Sequence, residues 1–420
     1  MLASVKYLEE QENEKYRLIE TDRRTQIDNY ADVITWNIMY SIDGEDKWEE
    51  LIIAPFYSDN VNQEYPMIRL LKERMEQEKQ ADTIYDRYWH GMMVILRPLF
   101  CCFTITQIRF IMLIVLTGLL FLLSIGLWKK KLKLFAGTLW TAAIIINYPM
   151  IAWCTEYQST WFIMLGVSLA VLKYYKKPEQ VACLSVVSGV CCAFFDFLTT
   201  ETIAFVIPIA IVFCLWEKEG LWKNFRQCLL YLFVWGISWC IAYLGTLFTK
   251  WGFSTILLGQ NRFFHAITMM FYRQGAESVY TEADRVLSQT ELVSNATNSL
   301  QISQPITALL VNIRLMLGLS EKITLQELFF TILFLTGLII CIVYLFRKTG
   351  NQCILPFMLF LLGSIPVLRI IILHNHSLEH CFFVYRALFG TVVCGILGFV
   401  YIIDWNFLKS IYREKKKRKR

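Results

Sequence analysis

From residue 106 onward the chain alternates long apolar runs with short charged turns. A helix needs about 20 apolar residues to cross roughly 30 Å of hydrocarbon. Nine runs approach that length, near 106–128, 134–153, 159–173, 180–197, 201–216, 228–249, 327–346, 353–373 and 386–404. The pattern predicts an all-α polytopic protein with nine transmembrane helices. Before residue 106 the pattern is mixed. Pro66 to about Gln80 predicts an amphipathic helix, with Pro at its first turn and a stripe of Ile68, Leu71 and Met75. Tyr88, Trp89 and the run Met92–Leu96 predict a segment in the membrane interface. The loop 250–326 has a polar middle, Gly275–Ser299, between amphipathic flanks at Phe263–Tyr272 and Ile306–Leu319, both expected to lie on the membrane. The chain thus divides into a head (1–105), six spans (106–249), a large loop (250–326), three spans (327–404) and a tail (405–420).

Composition excludes a soluble protein. Charged residues are 18% of the chain and hydrophobic ones 56%, where soluble domains are about a quarter charged. Residues 1–100 carry 12 Lys/Arg against 20 Asp/Glu, so an acidic head precedes a basic, apolar body. The 13 cysteines contain no CxxC pair, and seven of them (Cys183, Cys191, Cys192, Cys214, Cys240, Cys341 and Cys394) lie inside apolar runs. There a thiol acts as a small hydrophobe, not a staple. The positive charge sits in short clusters between spans, which argues against a nucleic-acid partner.

Those clusters orient the chain. Twenty Lys/Arg lie at 129–133, 173–177, 218–226, 347–348 and 409–420, while the alternate short loops 154–158, 198–200 and 374–385 contain none. Positive charge marks cytoplasmic loops, so the tail is expected inside and the head and loop 250–326 outside, in a plasma membrane. Counting back through nine spans leaves 1–105 outside with no apolar segment ahead of it to export it. The expectation is a further span upstream of Met1, giving ten.

The polar residues that break the apolar pattern gather on the outward side. Asp28 and Asp32 stand four apart, on one face of a helix; two close carboxylates suit a general base or a cation site, or simply a solvated acidic helix start. His90, Arg97 and Arg109 precede the first span, where interface anchoring accounts for the neighbouring Tyr and Trp but less well for these. Asp196 and Glu201 bracket an outer turn, facing either a cavity or water. The densest cluster is His374-Asn375-His376-Ser377-Leu378-Glu379-His380, flanked by Arg369 and Arg386. His-x-His-x3-His could ligate zinc, but no fourth ligand is evident. A phosphate pocket fits better, since arginine offers a bidentate fork and histidines add donors; snorkelling to headgroups is the plainer role, more so for Arg386 than for Arg369.

Asp28-Asn29-Tyr30-Ala31-Asp32, Arg87-Tyr88-Trp89-His90-Gly91 through Arg97-Pro98, and His376-Ser377 through His380 to Tyr385-Arg386 together resemble the type C superfamily of integral-membrane glycosyltransferases. The likeness is to uncharacterised bacterial members related to glycosyltransferase family 39. The resemblance implies sugar transfer from a polyprenyl-phosphate carrier to a glycan, lipid or protein acceptor of the cell envelope. It gives Asp28 the role of base with Asp32 its understudy, and Arg369, Arg386, Arg97, His376 and His380 the donor phosphate. His90, Arg109, Asp196, Glu201 and His374 would complete the cavity. The family's first span and its adjacent acid pair are missing, since Asn29 follows Asp28. No cofactor or metal site is implied, although a divalent cation at Asp28 would share the work of neutralising phosphate. Two other classes remain: a transporter or flippase for lipid-linked saccharides, which should carry more mid-membrane charge, and a non-catalytic envelope-assembly protein.

Overall fold

A computed structural model describes residues 1–10, 17–42, 47–59, 67–221, 224–275, 303–319 and 353–403. The expected span 327–346, the tail 405–420 and nearly all of the polar middle of loop 250–326 lie outside these. Among the described residues the regular structure is helical apart from a two-stranded antiparallel ribbon, Pro55–Phe56 with Thr83–Ile84, and an isolated bridge between Arg17 and Gln26.

The head builds its own core. Helices α1 (Leu2–Glu9), α2 (Asn29–Ser41), α3 (Lys47–Ile53), α4 (Met67–Gln77) and α5 (Met93–Cys102) pack around Val33, Trp36, Ile38, Leu71 and Leu96. The amphipathic helix expected from Pro66 is α4, and its stripe faces this core: Leu71 is fully buried and Met75 packs against it. The stripe therefore serves protein, not lipid. Buried Arg74 ties α4 to α2 by donating to Asn37 Oδ1 at 2.9 Å and to Ser41. The 88–96 segment is divided: Met92, Met93 and Leu96 join the head core, while Val94 and Ile95 are exposed.

The bundle follows. It contains α6 (Ile105–Lys129), α7 (Lys133–Ile145), α8 (Thr155–Tyr174), α9 (Pro178–Phe195), α10 (Ile203–Glu219), α11 (Phe225–Leu258), α12 (Arg262–Arg273), α13 (Gln304–Met316), α14 (Ile354–Ile372), α15 (His374–Glu379), α16 (Cys381–Val384) and α17 (Phe389–Ile402). Among the described residues, five helical stretches are long and apolar enough to cross a membrane: α6, α9, α11, α14 and Cys381–Ile402. The protein is a multi-pass membrane protein. Three expected spans are not among these five: the run 159–173 lies in α8, and the other two take other forms. The run 134–153 breaks at Asn147, a left-handed residue before Pro149, and continues as a short 3-10 helix, Tyr148–Trp153. The run 201–216 becomes α10, buried at every position from Ile203 to Trp216; a helix apolar all round belongs inside a bundle.

The two ends of the bundle differ. At one end Lys130, Lys176 and Lys218 gather around Tyr175 and Glu219, with Lys176 3.6 Å from the Glu219 carboxylate. At the other end sit the head and the loops expected to face outward.

Candidate functional site

The head joins the bundle through α2. Asp28 is its N-cap and accepts from the Ala31 amide at 3.2 Å, satisfying one of the donors a helix start leaves open. One turn later Asp32 is fully buried. It accepts from Arg109 Nη2 of α6 at 2.9 Å and from the Thr155 amide of α8 at 2.8 Å, with the Thr155 hydroxyl at 2.5 Å. Arg109 also donates to Asn29 Oδ1 at 2.9 Å. A buried ion pair with this many hydrogen bonds is a rivet between head and bundle, and neither Asp32 nor Arg109 lines the cavity described below.

A second rivet holds the turn after α9. Asp196 caps it, accepting from the Thr199 amide at 2.9 Å and from the Thr160 hydroxyl at 2.7 Å. Leu198 adopts a left-handed backbone with φ 65°. Its carbonyl accepts from Arg369 Nη2 at 2.6 Å and lies 3.1 Å from His376 Nε2. Arg369 Nε meets Glu201 Oε1 at 3.0 Å, both side chains buried. Arg369 is thus spent on Glu201 and the backbone. Arg386, 1% exposed, donates to the Phe382 carbonyl at 3.1 Å and the Arg24 carbonyl at 2.9 Å. Arg97 donates to the Ile42 carbonyl at 2.7 Å, and His374 packs against Gly275. None of Arg97, Arg369, Arg386, Asp196, Glu201 and His374 lines the cavity described next, so the arginine clamp expected at Arg369 and Arg386 does not form a shared surface with Asp28.

Between head and bundle lies a cavity of about 120 Å³ that does collect groups from both. Asp28, Tyr30 and Thr35 of the α2 region form one wall; Tyr85, Arg87 and His90 of the head's last turn form another. Glu156 at the start of α8, Phe197, Met269, Tyr272 and Arg273 of α12, and His376, Glu379 and His380 complete it. Of the residues singled out in the sequence, Asp28, His90, His376 and His380 are brought together in this cavity. Arg87, Arg273, Glu156 and Glu379 join them.

The last head turn is built under constraint. His90 has φ 54°, unusual for a residue with a side chain. Gly91 donates its amide to the Phe194 carbonyl at 2.9 Å, and a Cβ on it would lie 2.4 Å from the Phe194 ring. Only glycine permits that approach. The turn is further held by Trp89 Nε1 to the Thr246 carbonyl at 2.8 Å and by Trp251 Nε1 to the Arg87 carbonyl at 3.1 Å. Such strain persists only where surroundings impose it, often at functional sites.

The cavity's electrostatics are divided. The carboxylates of Asp28, Glu156 and Glu379 share it with the guanidiniums of Arg87 and Arg273. Arg87 lies over the Tyr85 ring and Arg273 over Tyr88. Burial, then the charges of Lys250 and Arg87, pushes the His90 pKa down to about 3, against the backbone hydrogen bond to Tyr85. Burial likewise holds His376 well below the ordinary range, reinforced by His380 and Arg369. His376 and His380 rings stand 4.7 Å apart, and His380 stacks on Phe383. Among the described residues no group of three or more His, Cys, Asp or Glu side chains is arranged to hold a metal ion.

Three cavity residues left out of the sequence expectation had signals in the chain. Arg87 opens the Arg-Tyr-Trp-His-Gly run, and Arg273 ends the amphipathic flank after Tyr272. Glu156 is the acid of an outward loop remarked only for its lack of cations. No family model, curated protein or solved structure matches the chain, and the cavity's own groups are what point to its chemistry.

Proposed function

We propose that the protein is a type C glycosyltransferase-like enzyme of the bacterial plasma membrane. In this reading it transfers a sugar from a polyprenyl-phosphate carrier to a cell-envelope acceptor on the outer face. The nine-span topology with a cytoplasmic tail belongs to the same reading. One observation carries it: a single cavity at the head–bundle junction holds a helix-capping carboxylate, Asp28, together with two arginines and three histidines.

The reaction needs two things of such a site. An acceptor hydroxyl must lose its proton as its oxygen bonds to the anomeric carbon, and Asp28 takes that proton. The bond from the anomeric carbon to the phosphate oxygen breaks, and the leaving polyprenyl phosphate carries away the negative charge. Preorganised cations stabilise that charge most strongly in a site shielded from water. Arg87 and Arg273 fill this role in place of Arg369 and Arg386, because they line the cavity with Asp28 and the other two do not. Asp32 holds the α2 start in place for Asp28.

The test is consumption of lipid-linked sugar by purified protein in nanodiscs, across a panel of polyprenyl-phosphate sugars. Asp28→Asn keeps shape and cap but removes the proton acceptor, so turnover should fall about 10²–10⁴-fold with donor binding little changed. Arg273→Ala should instead weaken donor binding by roughly 10–100-fold, the worth of a hydrogen bond to a charged group. Full turnover in Asp28→Asn removes Asp28 as base; no binding of any donor removes the enzyme reading. A reporter fused after Arg420 should be active only in the cytoplasm.

A further inference from the structure

His90 and His376 share an arrangement that restricts what they can recognise. His90 Nε2 lies 2.9 Å from the Tyr85 carbonyl, and His376 Nε2 lies 3.1 Å from the Leu198 carbonyl. A carbonyl oxygen can only accept, so in each ring Nε2 carries the hydrogen and Nδ1 keeps a bare lone pair. Both rings are nearly sealed from water, at 2% and 4% exposed, and both border the cavity. His90 Nδ1 is buried with no hydrogen-bond partner, a costly state for an acceptor unless a ligand answers it. The rings cannot easily reorient. His90 is fixed by its left-handed backbone, by Gly91 against Phe194, and by contacts with Tyr85 and Phe197 at 5.0 and 4.9 Å. His376 sits against His380 and Phe383.

We infer that His90 and His376 are fixed, uncharged acceptors that read hydroxyl groups of the ligand. They recognise the saccharide part and not the phosphate, which reverses the donor role expected for His376 from the sequence. A phosphate oxygen facing Nδ1 would set lone pair against lone pair, whereas a sugar hydroxyl supplies the missing hydrogen. The cavity then divides its labour: arginines for phosphate, imidazoles for hydroxyls. Burial and the nearby Lys250, Arg87 and Arg369 charges keep both rings neutral at physiological pH, which sustains the acceptor state. The identity of the ligand rests on the transferase reading; the tautomer does not.

The decisive measurement is solid-state NMR of the full chain in lipid bilayers with 15N-labelled histidine. Without ligand, His90 and His376 should show a protonated Nε2 and a bare Nδ1 at pH 7. Adding polyprenyl-phosphate sugar should move the Nδ1 resonances toward the hydrogen-bonded range, and bare polyprenyl phosphate should leave them in place. In binding assays His376→Phe, which keeps an aromatic ring but no acceptor, should weaken the sugar-bearing donor about tenfold, one hydrogen bond's worth, and leave bare polyprenyl phosphate unaffected. His90→Asn should keep most of the affinity, because Asn retains an acceptor close to the backbone and tolerates positive φ. The inference is overturned by a protonated Nδ1 in the free protein, by equal responses to both lipids, or by a bound sugar donor that leaves Nδ1 unmoved while the transferase reading survives. Failure of every donor to bind removes both readings together.

Discussion

Asp28 and Asp32 begin the same helix one turn apart, yet they serve two different regions. Asp32 looks into the sealed junction, where Arg109 and Thr155 meet it. Asp28 looks into the cavity, where groups from five other segments gather. Spacing on a helix face therefore does not distinguish a carboxylate that holds a protein together from one that can do chemistry. The partner across the interface does, and it comes from more than 70 residues away in the chain.

The comparison can be broken most forcefully at its sealed end. Asp32→Ala leaves the Arg109 guanidinium buried without its counter-charge, and such losses cost about 3–5 kcal/mol. Thermal unfolding should register this as a large drop in midpoint, whereas Asp28→Asn should leave the midpoint nearly unchanged. Equal effects would mean that the two acids share one role. Gly91→Ala tests how firmly the cavity wall is held. Its new Cβ would collide with the Phe194 ring and carbonyl, and overpacking of this kind costs about 1–3 kcal/mol; a variant as stable as the parent would show that the turn can shift.

Asp28→Ala should cost less, about 1 kcal/mol for a lost N-cap, measurable by the same unfolding assay. The smallest effect is in pH. An unfolded histidine takes up a proton near pH 6.5, while folded His90 does not until about pH 3. Across that window the unfolded state binds more protons, so folding stability declines as pH falls below 6.5. The decline should be about 1 kcal/mol by pH 5.5 for His90 alone, and His90→Asn should flatten that slope. A slope unchanged in His90→Asn would mean that the ring is not held neutral.

Periodicity was enough to read α4, whose stripe of Ile68, Leu71 and Met75 appears in the helix Met67–Gln77, and enough to place α6, α9 and α14 within a few residues, while α11 runs nine residues past the expected end at 249. It could not tell which solvent the stripe of α4 would meet, because an apolar face looks the same whether a lipid or another helix covers it. The fates of Arg369 and Arg386 were equally hidden. Each sits at an apolar helix end, where a lipid phosphate and a protein acceptor answer the charge equally well. Glu201, 168 residues from Arg369, decides the matter. The cavity was legible as a list of outward residues and not as an arrangement, since α12 and α8 bring Arg273 and Glu156 to Asp28 only through tertiary packing.

Helix α11 also acts as a measuring rod. Its first stretch, Phe225 to Gly245, is about 30 Å long at ~1.5 Å per residue, close to the thickness of bilayer hydrocarbon. The next residues, Thr246, Lys250, Trp251 and Ser254, are the ones that grip the head, through the Thr246 carbonyl to Trp89, Lys250 to the Leu51 carbonyl at 3.0 Å, Trp251 to the Arg87 carbonyl and Ser254 to the Ile52 carbonyl at 3.4 Å. A helix that spans the oil layer and then continues as a mast fixes the altitude of whatever is fastened to it. Arg87 and His90 hang from this mast, so the reach from their cavity down to the plane of the lipid headgroups is set by helix length. Inserting one turn into α11 would lift that wall by about 5.4 Å without altering a single residue of the cavity.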